Sequence, residues 1–193
     1  KLSPSPQLGQ YYLVPFNDKN KGKVAQFQLG YKGYIQLAIR SGQYKKLNVL
    51  AIKEGELIRF DPLNEEIEVR LIEDEEEREQ ANTIGYYAMF EYTNGFRKAI
   101  YWSKRKMEAH ALKYSKGYQA KKGYTFWEKD FDGMAYKTML RQLISKWGIM
   151  SIDMASAIDS DMAVINEDGT KDYVDNDATM FDMEPAQEAT PQQ

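Results

Sequence analysis

Residues 84–102 contain the pattern that most restricts how this chain can fold. Two segments of largely alternating apolar residues, 84–92 and 96–102, flank Thr93-Asn94-Gly95. Asn-Gly between such segments is the strongest short-range signal for a β-hairpin, because both residues tolerate the positive φ angles of a tight turn. The sequence therefore predicts a pair of antiparallel strands in the middle of the chain.

The segments before and after this hairpin carry weaker patterns that predict strands and helices. Strands are predicted over residues 10–16, 24–29, 46–53, 57–60 and 65–72. Helices are predicted over residues 30–41, 103–114 and 130–147. The charged run 73–80 and the Gly- and Lys-rich segment 115–125 are interpreted as loops. This order predicts an α+β fold, in which helices pack on an antiparallel, hairpin-built sheet.

Charge divides the chain into a predicted core, residues 1–150, and a predicted tail, residues 151–193. The tail segment carries eleven acidic side chains and one lysine, so we predict that it is disordered. Twelve of the remaining 18 acids lie between Glu54 and Glu79, and the rest of the core is strongly basic. A body with this excess of cations attracts a polyanion. Because the chain begins with Lys1 and a Pro-rich stretch, we expect its natural start to lie upstream.

Patterns that would indicate catalysis are weak in this sequence. His110 is the single histidine and there is no cysteine, so a zinc site of the usual kind is not predicted. No phosphate-binding GxxxxGK[ST] loop occurs, and the glycine pair Gly30 and Gly33 is by itself a weak sign of a nucleic-acid clamp. We predict neither a cofactor nor a metal, and no segment is long and apolar enough to span a membrane. The absence of cysteine agrees with a cytoplasmic protein.

Basic and aromatic residues are interleaved in two parts of the core, which is typical of single-strand binding. Cations neutralise phosphates, and flat rings stack on unpaired bases without regard to their sequence. On the third predicted helix, Lys137 and Arg141 lie off the apolar stripe, so a positive groove lined by two helices is predicted. The candidate DNA-binding residues are Lys32, Arg40, Lys45, Lys106, Lys113, Lys116, Lys137, Arg141, Tyr31, Tyr34 and Trp127.

Three stretches resemble the RecT family of phage and prophage recombinases. These are QFQLGYKGYIQLAIRSGQY at 26–44, NGFRKAIYWSK at 94–104 and FWEKDFDGMAYKTMLRQLISKWG at 126–148, and LGQYYLVPF at 8–16 resembles the approach to the first. The similarity is collinear from about residue 8 to residue 153. Lys32, Arg40, Lys137 and Arg141 match positions inside two of these blocks and are the first candidates for contacts with the DNA backbone.

The resemblance implies a function and partners that the residue patterns alone do not indicate. Members of the family anneal complementary single strands without ATP during homologous recombination, through an annealed duplex intermediate, and are not enzymes. They form rings or filaments of identical subunits, and their core is similar to that of the Redβ annealing protein. A phage exonuclease or a host single-strand-binding protein is an implied partner. The family's N-terminal helical region is missing from this chain.

Other functions stay open at the level of sequence. A passive single-strand-binding protein would carry the same charges and rings without accelerating annealing. A nuclease would require a set of metal ligands, and a structural protein would not bind DNA at all. For the acidic tail we predict either a solubilising role, or competition with DNA for the basic groove combined with docking of a partner protein.

Overall fold

The structure, a computed structural model, describes residues 2, 5–18, 22–123, 125–161, 163–165 and 171–173. The strands are β1 Tyr11–Asp18, β2 Gly22–Leu29, β3 Tyr44–Lys53, β4 Leu57–Asp61, β5 Glu66–Val69, β6 Thr83–Tyr92, β7 Arg97–Ser103, β8 Ala163–Ile165 and β9 Lys171–Tyr173. The helices are α1 Tyr31–Ser41, α2 Glu75–Gln80, α3 Lys104–Tyr114, α4 Lys116–Gln119, α5 Phe126–Lys129, α6 Phe131–Trp147 and α7 Ile152–Ser160. The predicted α+β class is confirmed, and every strand pair is antiparallel.

A three-stranded sheet in the order β3-β6-β7 forms the centre of the fold. The predicted hairpin β6–β7 is confirmed, and Gly95 adopts a φ of 89° in its turn. Because successive side chains of a strand point to opposite faces, Tyr86 and Phe90 face the helices, whereas Tyr87 and Met89 face the other side. The β4–β5 hairpin covers that other side, so β4 pairs with β5 and not with β3.

Helix α6 connects the two main parts of the core. One of its sides packs Met139 and Leu143 against the central sheet and α3. An adjacent side packs Leu140 and Ile144 against α1, β2 and α7. Asp130 caps the helix by accepting a hydrogen bond of 2.9 Å from the Gly133 N–H. Elements from both ends of the chain therefore converge on α6.

The β1–β2 hairpin leads directly into α1, as predicted. Gly30 and Gly33 lie where the chain at Gly9 and Gln10 crosses the start of this helix. A Cβ atom on Gly33 would lie 2.1 Å from the carbonyl oxygen of Gln10, and one on Gly30 would lie 2.2 Å from that of Gly9. The spacing of these glycines thus serves close backbone packing, not a phosphate clamp.

The charged run that was predicted to be a loop contains helix α2, which is a correction. Asp74 caps it by accepting from the Glu77 N–H at 2.8 Å. Its Arg78 reaches the fully buried Glu56, with an Nε–Oε1 distance of 2.6 Å, and also donates to the carbonyl of Ala51. This anchor explains why so polar a segment is ordered. The second predicted loop, 115–125, also contains a short helix, α4.

The predicted boundary at residue 150 is wrong for the described part of the C-terminal segment. Helix α7 buries Met154 completely against Leu140 and Ile144. Strand β8 pairs with β2 and brings β9 into a sheet ordered β1-β2-β8-β9. Residues 151–161 and 163–165 therefore belong to the folded core. Residues 162, 166–170 and 174–193 of the predicted tail lie outside the described residues.

Candidate nucleic-acid interface

Two depressions with aromatic walls lie along α6. The N-terminal half of the helix lines the first through Asp130, Gly133, Met134 and Lys137. The C-terminal half lines the second through Gln142, Lys146 and Trp147. A helix of this length extends for about 25 Å, at roughly 1.5 Å per residue. Both depressions have α6 as a wall, and the groove lined by two helices stays a prediction.

The first depression, here called the ring pocket, has a volume of about 280 Å³ and is bounded by the rings of Tyr12, Tyr31 and Phe126. Tyr12 is 36% exposed, and its ring centre lies 6.2 Å from that of Phe126. Tyr31 is fixed edge-on by Tyr136 at 5.6 Å. Strand β1, the start of α1 and the start of α5 thus each contribute one ring to a shared pocket.

Two lysines, Lys129 and Lys137, line the ring pocket together with Asp130, and Lys32 lies beside Gly9. Lys32 and Lys129 are exposed and form no ion pair among the described residues, and Lys137 contributes to the wall. Burial raises the pKa of the Tyr12 hydroxyl, and Asp130 and Tyr31 raise it further, so this group remains a hydrogen-bond donor at neutral pH. The pocket combines flat apolar faces, a hydroxyl donor and unpaired positive charge.

Trp102 lines the second depression and begins a row of rings on β7 and α3. We call this row the aromatic ladder: Trp102, His110 and Tyr114. The centres of neighbouring rings lie 5.5 Å and 4.6 Å apart. Lys106 lies 4.4 Å from the centre of the Trp102 ring, and Lys113 lies 5.2 Å from that of Tyr114. Tyr114 is 54% exposed, so the ladder ends in an open ring face. Contacts of this kind hold the ammonium groups close to the rings.

His110 is uncharged at neutral pH in this setting. Burial lowers its pKa, and the positive charges of Lys113 and Arg141 lower it further. Arg141 belongs to α6 and Lys113 to α3, so both helices act on the same imidazole.

Lys137 and Arg141 are tied to a single carboxylate from the C-terminal segment. Asp161 is fully buried and accepts from Lys137 Nζ at 3.0 Å and from Arg141 Nη1 at 2.9 Å. It also accepts from the backbone N–H of Leu29 at 2.8 Å. Lys137 is 13% exposed and Arg141 is 42% exposed. We call this group the basic clasp: Asp161, Lys137 and Arg141.

Several predicted DNA-binding residues lie apart from these surfaces. Arg40, in the last turn of α1, lines a separate depression with Asp153 of α7. Lys45, on β3, pairs with Glu91 at 2.8 Å. Lys116 is exposed at the start of α4, beyond the end of the aromatic ladder. Tyr31 and Lys137 line the first depression and Lys106 lines the second. Lys32 lies beside Gly9, Lys113 lies beside Tyr114, and Arg141 pairs with Asp161.

The structure places the two other aromatic candidates, Tyr34 and Trp127, in the core. Tyr34 has no exposed surface and packs with Leu29 and Leu140, and Trp127 is 4% exposed beside Phe131. Neither ring can offer a face to a base in this conformation. Burial and the charge of Asp161 raise the pKa of Tyr34, while Arg141 opposes them.

Residues that are not among the candidate DNA-binding residues complete the site, although Phe126, Lys129 and Tyr114 belong to the interleaved basic and aromatic stretch. Tyr12 and Phe126 belong to the stretches that resemble the family, but nothing in their local pattern distinguishes them from their neighbours Tyr11 and Trp127. His110 and Tyr114 are one helical turn apart, and this spacing predicts that their rings lie on the same face of the helix. The four other residues are Trp102, Lys129, Lys146 and Asp161.

Some kinds of site are absent from the described part of the chain. No group of three His, Cys, Asp or Glu side chains there is arranged to hold a metal ion. None of the helices described combines the length and the apolar character needed to cross a bilayer.

Comparison with known proteins shows which family this chain is similar to. The model of the RecT family matches residues 1–177. An uncharacterised protein of Bacillus subtilis strain 168, YqaK, is 46% identical over 184 residues, which cover 93% of this chain and 57% of YqaK. Protein RecT of Escherichia coli K12 is 32% identical over 163 residues, covering 83% of this chain and 57% of that protein. The chain thus spans less than two thirds of the length of these relatives.

Proposed function

The chain belongs to the RecT family, and on that premise we propose that it binds single-stranded DNA and anneals it to a complementary strand. The reaction requires no ATP and no covalent chemistry, and it serves homologous recombination. Because its relatives are longer than this chain, the proposal concerns what the folded core contributes to the activity.

One observation carries the proposal: partly exposed rings and cations lie side by side at two places, the ring pocket and the aromatic ladder. The ring pocket offers Tyr12, Tyr31 and Phe126, with Lys129 in its wall. Lys32 lies beside Gly9, which also lines the pocket. A single strand presents the matching groups, because its phosphates are regularly spaced anions and its unpaired bases have apolar faces. Stacking contributes about 1–3 kcal/mol per base and does not depend on the identity of the base.

The mechanism follows from this arrangement. Phosphates contact the lysines while some bases stack on the rings, so the strand is held extended along α6. Bases that do not stack keep their pairing edges open to a complementary strand. Adjacent copies of the chain would continue the path, which agrees with assembly into a ring or filament. A phage exonuclease that produces the single strand, or a host single-strand-binding protein, fits as a partner of this activity.

A salt titration with labelled oligonucleotides tests the proposed binding. We expect the logarithm of affinity to fall linearly with the logarithm of salt concentration, by about 0.7 for each phosphate neutralised. Oligonucleotides of different sequence should bind alike. The double variant Lys32→Gln, Lys129→Gln should lower the affinity and flatten the slope, whereas Lys45→Gln should change neither. Affinity that is independent of salt, or confined to one sequence, contradicts the proposal.

A passive single-strand-binding protein is the second candidate, because the same rings and cations would serve it. The two functions differ in what happens after the first strand has bound. Only an annealing protein accelerates pairing with the second strand.

A further inference from the structure

The basic clasp lies at the junction of α6 and β2, beside the ring pocket. Lys137 lines the ring pocket, and Arg141 lies one turn further along the helix. Asp161 connects both cations to the backbone of Leu29, which also lines the ring pocket. Two elements, α6 and β2, therefore meet at this one carboxylate.

Asp161 is a permanent part of this junction, not a displaceable lid. Its side chain has no exposed surface, and each of its three contacts is a hydrogen bond of 2.8–3.0 Å. A buried carboxylate with three donors does not leave them for solvent, because an unpaired charge in the interior is strongly disfavoured. The preceding helix α7 is itself held in the core by Met154.

The cations retain hydrogen-bonding capacity beyond the clasp. An ammonium group has three donors and a guanidinium group has five. The structure assigns one donor of Lys137 and one of Arg141 to Asp161. The cluster carries two positive charges against one negative charge, so it keeps one net positive charge.

From this geometry we propose that Asp161 is a positioning residue for single-stranded DNA. It fixes Lys137 and Arg141 so that their remaining donors contact consecutive parts of the phosphate backbone between the ring pocket and the aromatic ladder. This inference rests on the proposed function. In this proposal Asp161 of the C-terminal segment supports DNA binding and does not compete with DNA.

A double-mutant cycle tests the inference. The variants are Asp161→Asn, the pair Lys137→Gln with Arg141→Gln, and all three changes together, each titrated with a single-stranded oligonucleotide across a salt series. In the presence of Asp161, removal of the two cations should weaken binding and flatten the salt slope by about 0.7 for each phosphate that is no longer neutralised. In the Asp161→Asn background, the same removal should change affinity and slope little, because the cations are no longer positioned.

Other results would overturn the inference. If the two cations contribute nothing in the presence of Asp161 but steepen the slope in Asp161→Asn, the carboxylate neutralises them. If they contribute equally in both backgrounds, Asp161 is only structural. A wild-type chain that does not bind the oligonucleotide contradicts the proposed function itself, which separates the two failures.

Two further variants control for charge and for folding. Glu91→Gln also removes an acid that pairs with two lysines, Lys45 and Lys46, but lies outside the path. It should leave the coupling unchanged. If Asp161→Asn does not fold, Asp161→Glu keeps the charge and displaces it by one methylene. Positioning requires that this variant binds DNA more weakly than the wild type, whereas wild-type affinity would refute it.

Discussion

Phe126 and Trp127 are neighbours in the chain but lie in opposite environments. Phe126 borders the ring pocket, while Trp127 is 4% exposed and packs against Phe131 at 5.1 Å between ring centres. A step of one residue on a helix turns the side chain by about 100°, which separates a binding ring from a core ring. The two positions therefore provide a matched pair of variants.

We predict that Phe126→Ala weakens single-strand binding while stability changes little. Loss of one stacked base costs about 1–3 kcal/mol, or about 5-fold to 140-fold in Kd. Trp127→Ala should instead lower the free energy of unfolding by about 3–5 kcal/mol, because it leaves a cavity in the core. Fluorescence anisotropy and thermal unfolding of both variants measure the two effects. Equal loss of binding in two well-folded variants would show that the ring pocket is not the base-stacking surface.

Gly33 gives a prediction about packing. Because a Cβ atom there would lie 2.1 Å from the Gln10 carbonyl oxygen, Gly33→Ala must displace the backbone that leads into β1. We expect the free energy of unfolding to fall by roughly 1–3 kcal/mol, as is usual for overpacking. We also expect weaker binding of single-stranded DNA at the ring pocket. Denaturant unfolding provides the measurement, and wild-type stability would show that the two backbone segments do not pack this closely.

Sequence patterns indicated which types of residue form the candidate site, but not which individual side chains are exposed. The interleaving of lysines with rings drew attention to Tyr31 and Lys113, which the structure places in the ring pocket and beside Tyr114. Their contact with DNA stays a prediction. The interleaving could not show that Tyr34 is buried, since burial depends on α6 and α7, which are distant in the chain. Asp161 could not be found at all, because its partners lie 20 to 132 residues away.

At the scale of elements, α2 depends on one contact outside itself. Its first turn contains only acidic residues, and none of its residues is buried. Arg78 supplies the anchor by binding the buried Glu56, which also accepts from the N–H groups of Lys53 and Ile72. The hairpin β6–β7 was predictable because a local turn determines it. Helix α2 was not, because Glu56 lies 22 residues from Arg78.

Arg78→Ala should therefore destabilise the protein by about 3 kcal/mol, since it leaves the buried Glu56 carboxylate without its cation. Arg59→Ala is the matched control, because Arg59 is 60% exposed and its partners Asp61 and Glu66 lie on the surface. Breaking an exposed pair typically costs less than about 1 kcal/mol. Urea unfolding of both variants measures the difference, and equal losses would contradict the structural role of this pair.

The same pair predicts a pH dependence. Burial acts to raise the pKa of Glu56, but the hydrogen bonds from Arg78 and from two backbone N–H groups outweigh it, so the pKa is lowered. A carboxyl whose pKa is lower in the folded state stabilises the fold above its unfolded pKa and loses this contribution as the pH falls through its folded pKa. The stability difference between the wild type and Arg78→Ala should shrink on acidification below about pH 4. A constant difference down to about pH 2 would show that Glu56 is not the linked group.

At the scale of the whole molecule, the C-terminal segment completes the fold. A chain that ends at residue 150 loses Met154 and Asp161, and we expect it to be less stable by about 3 kcal/mol or more, as for loss of a large buried side chain. A chain that ends at residue 173 keeps both residues and should unfold at the wild-type temperature. Calorimetry distinguishes these outcomes, and equal unfolding temperatures for the two truncations would contradict the integration of α7 and β8.

The overall composition had suggested a boundary at residue 150, because acidic residues dominate after it. This boundary was wrong because the apolar residues that fix the segment, such as Met154 and Val164, are few and match partners far away in the chain. Residues 174–193 carry five acidic side chains and no lysine or arginine. Their competition with DNA stays a prediction, which the chain ending at 173 tests without disturbing the core.

The central claim is that this chain anneals complementary strands along α6, and an annealing assay with two fluorescently labelled oligonucleotides tests it most directly. The chain is bound to the first strand without ATP, the second strand is added, and energy transfer reports pairing over time. We predict pairing that is faster than without protein, and a loss of that acceleration in the double variant Lys32→Gln, Lys129→Gln. Binding of the first strand without faster pairing would contradict the claim and would identify a passive single-strand-binding protein.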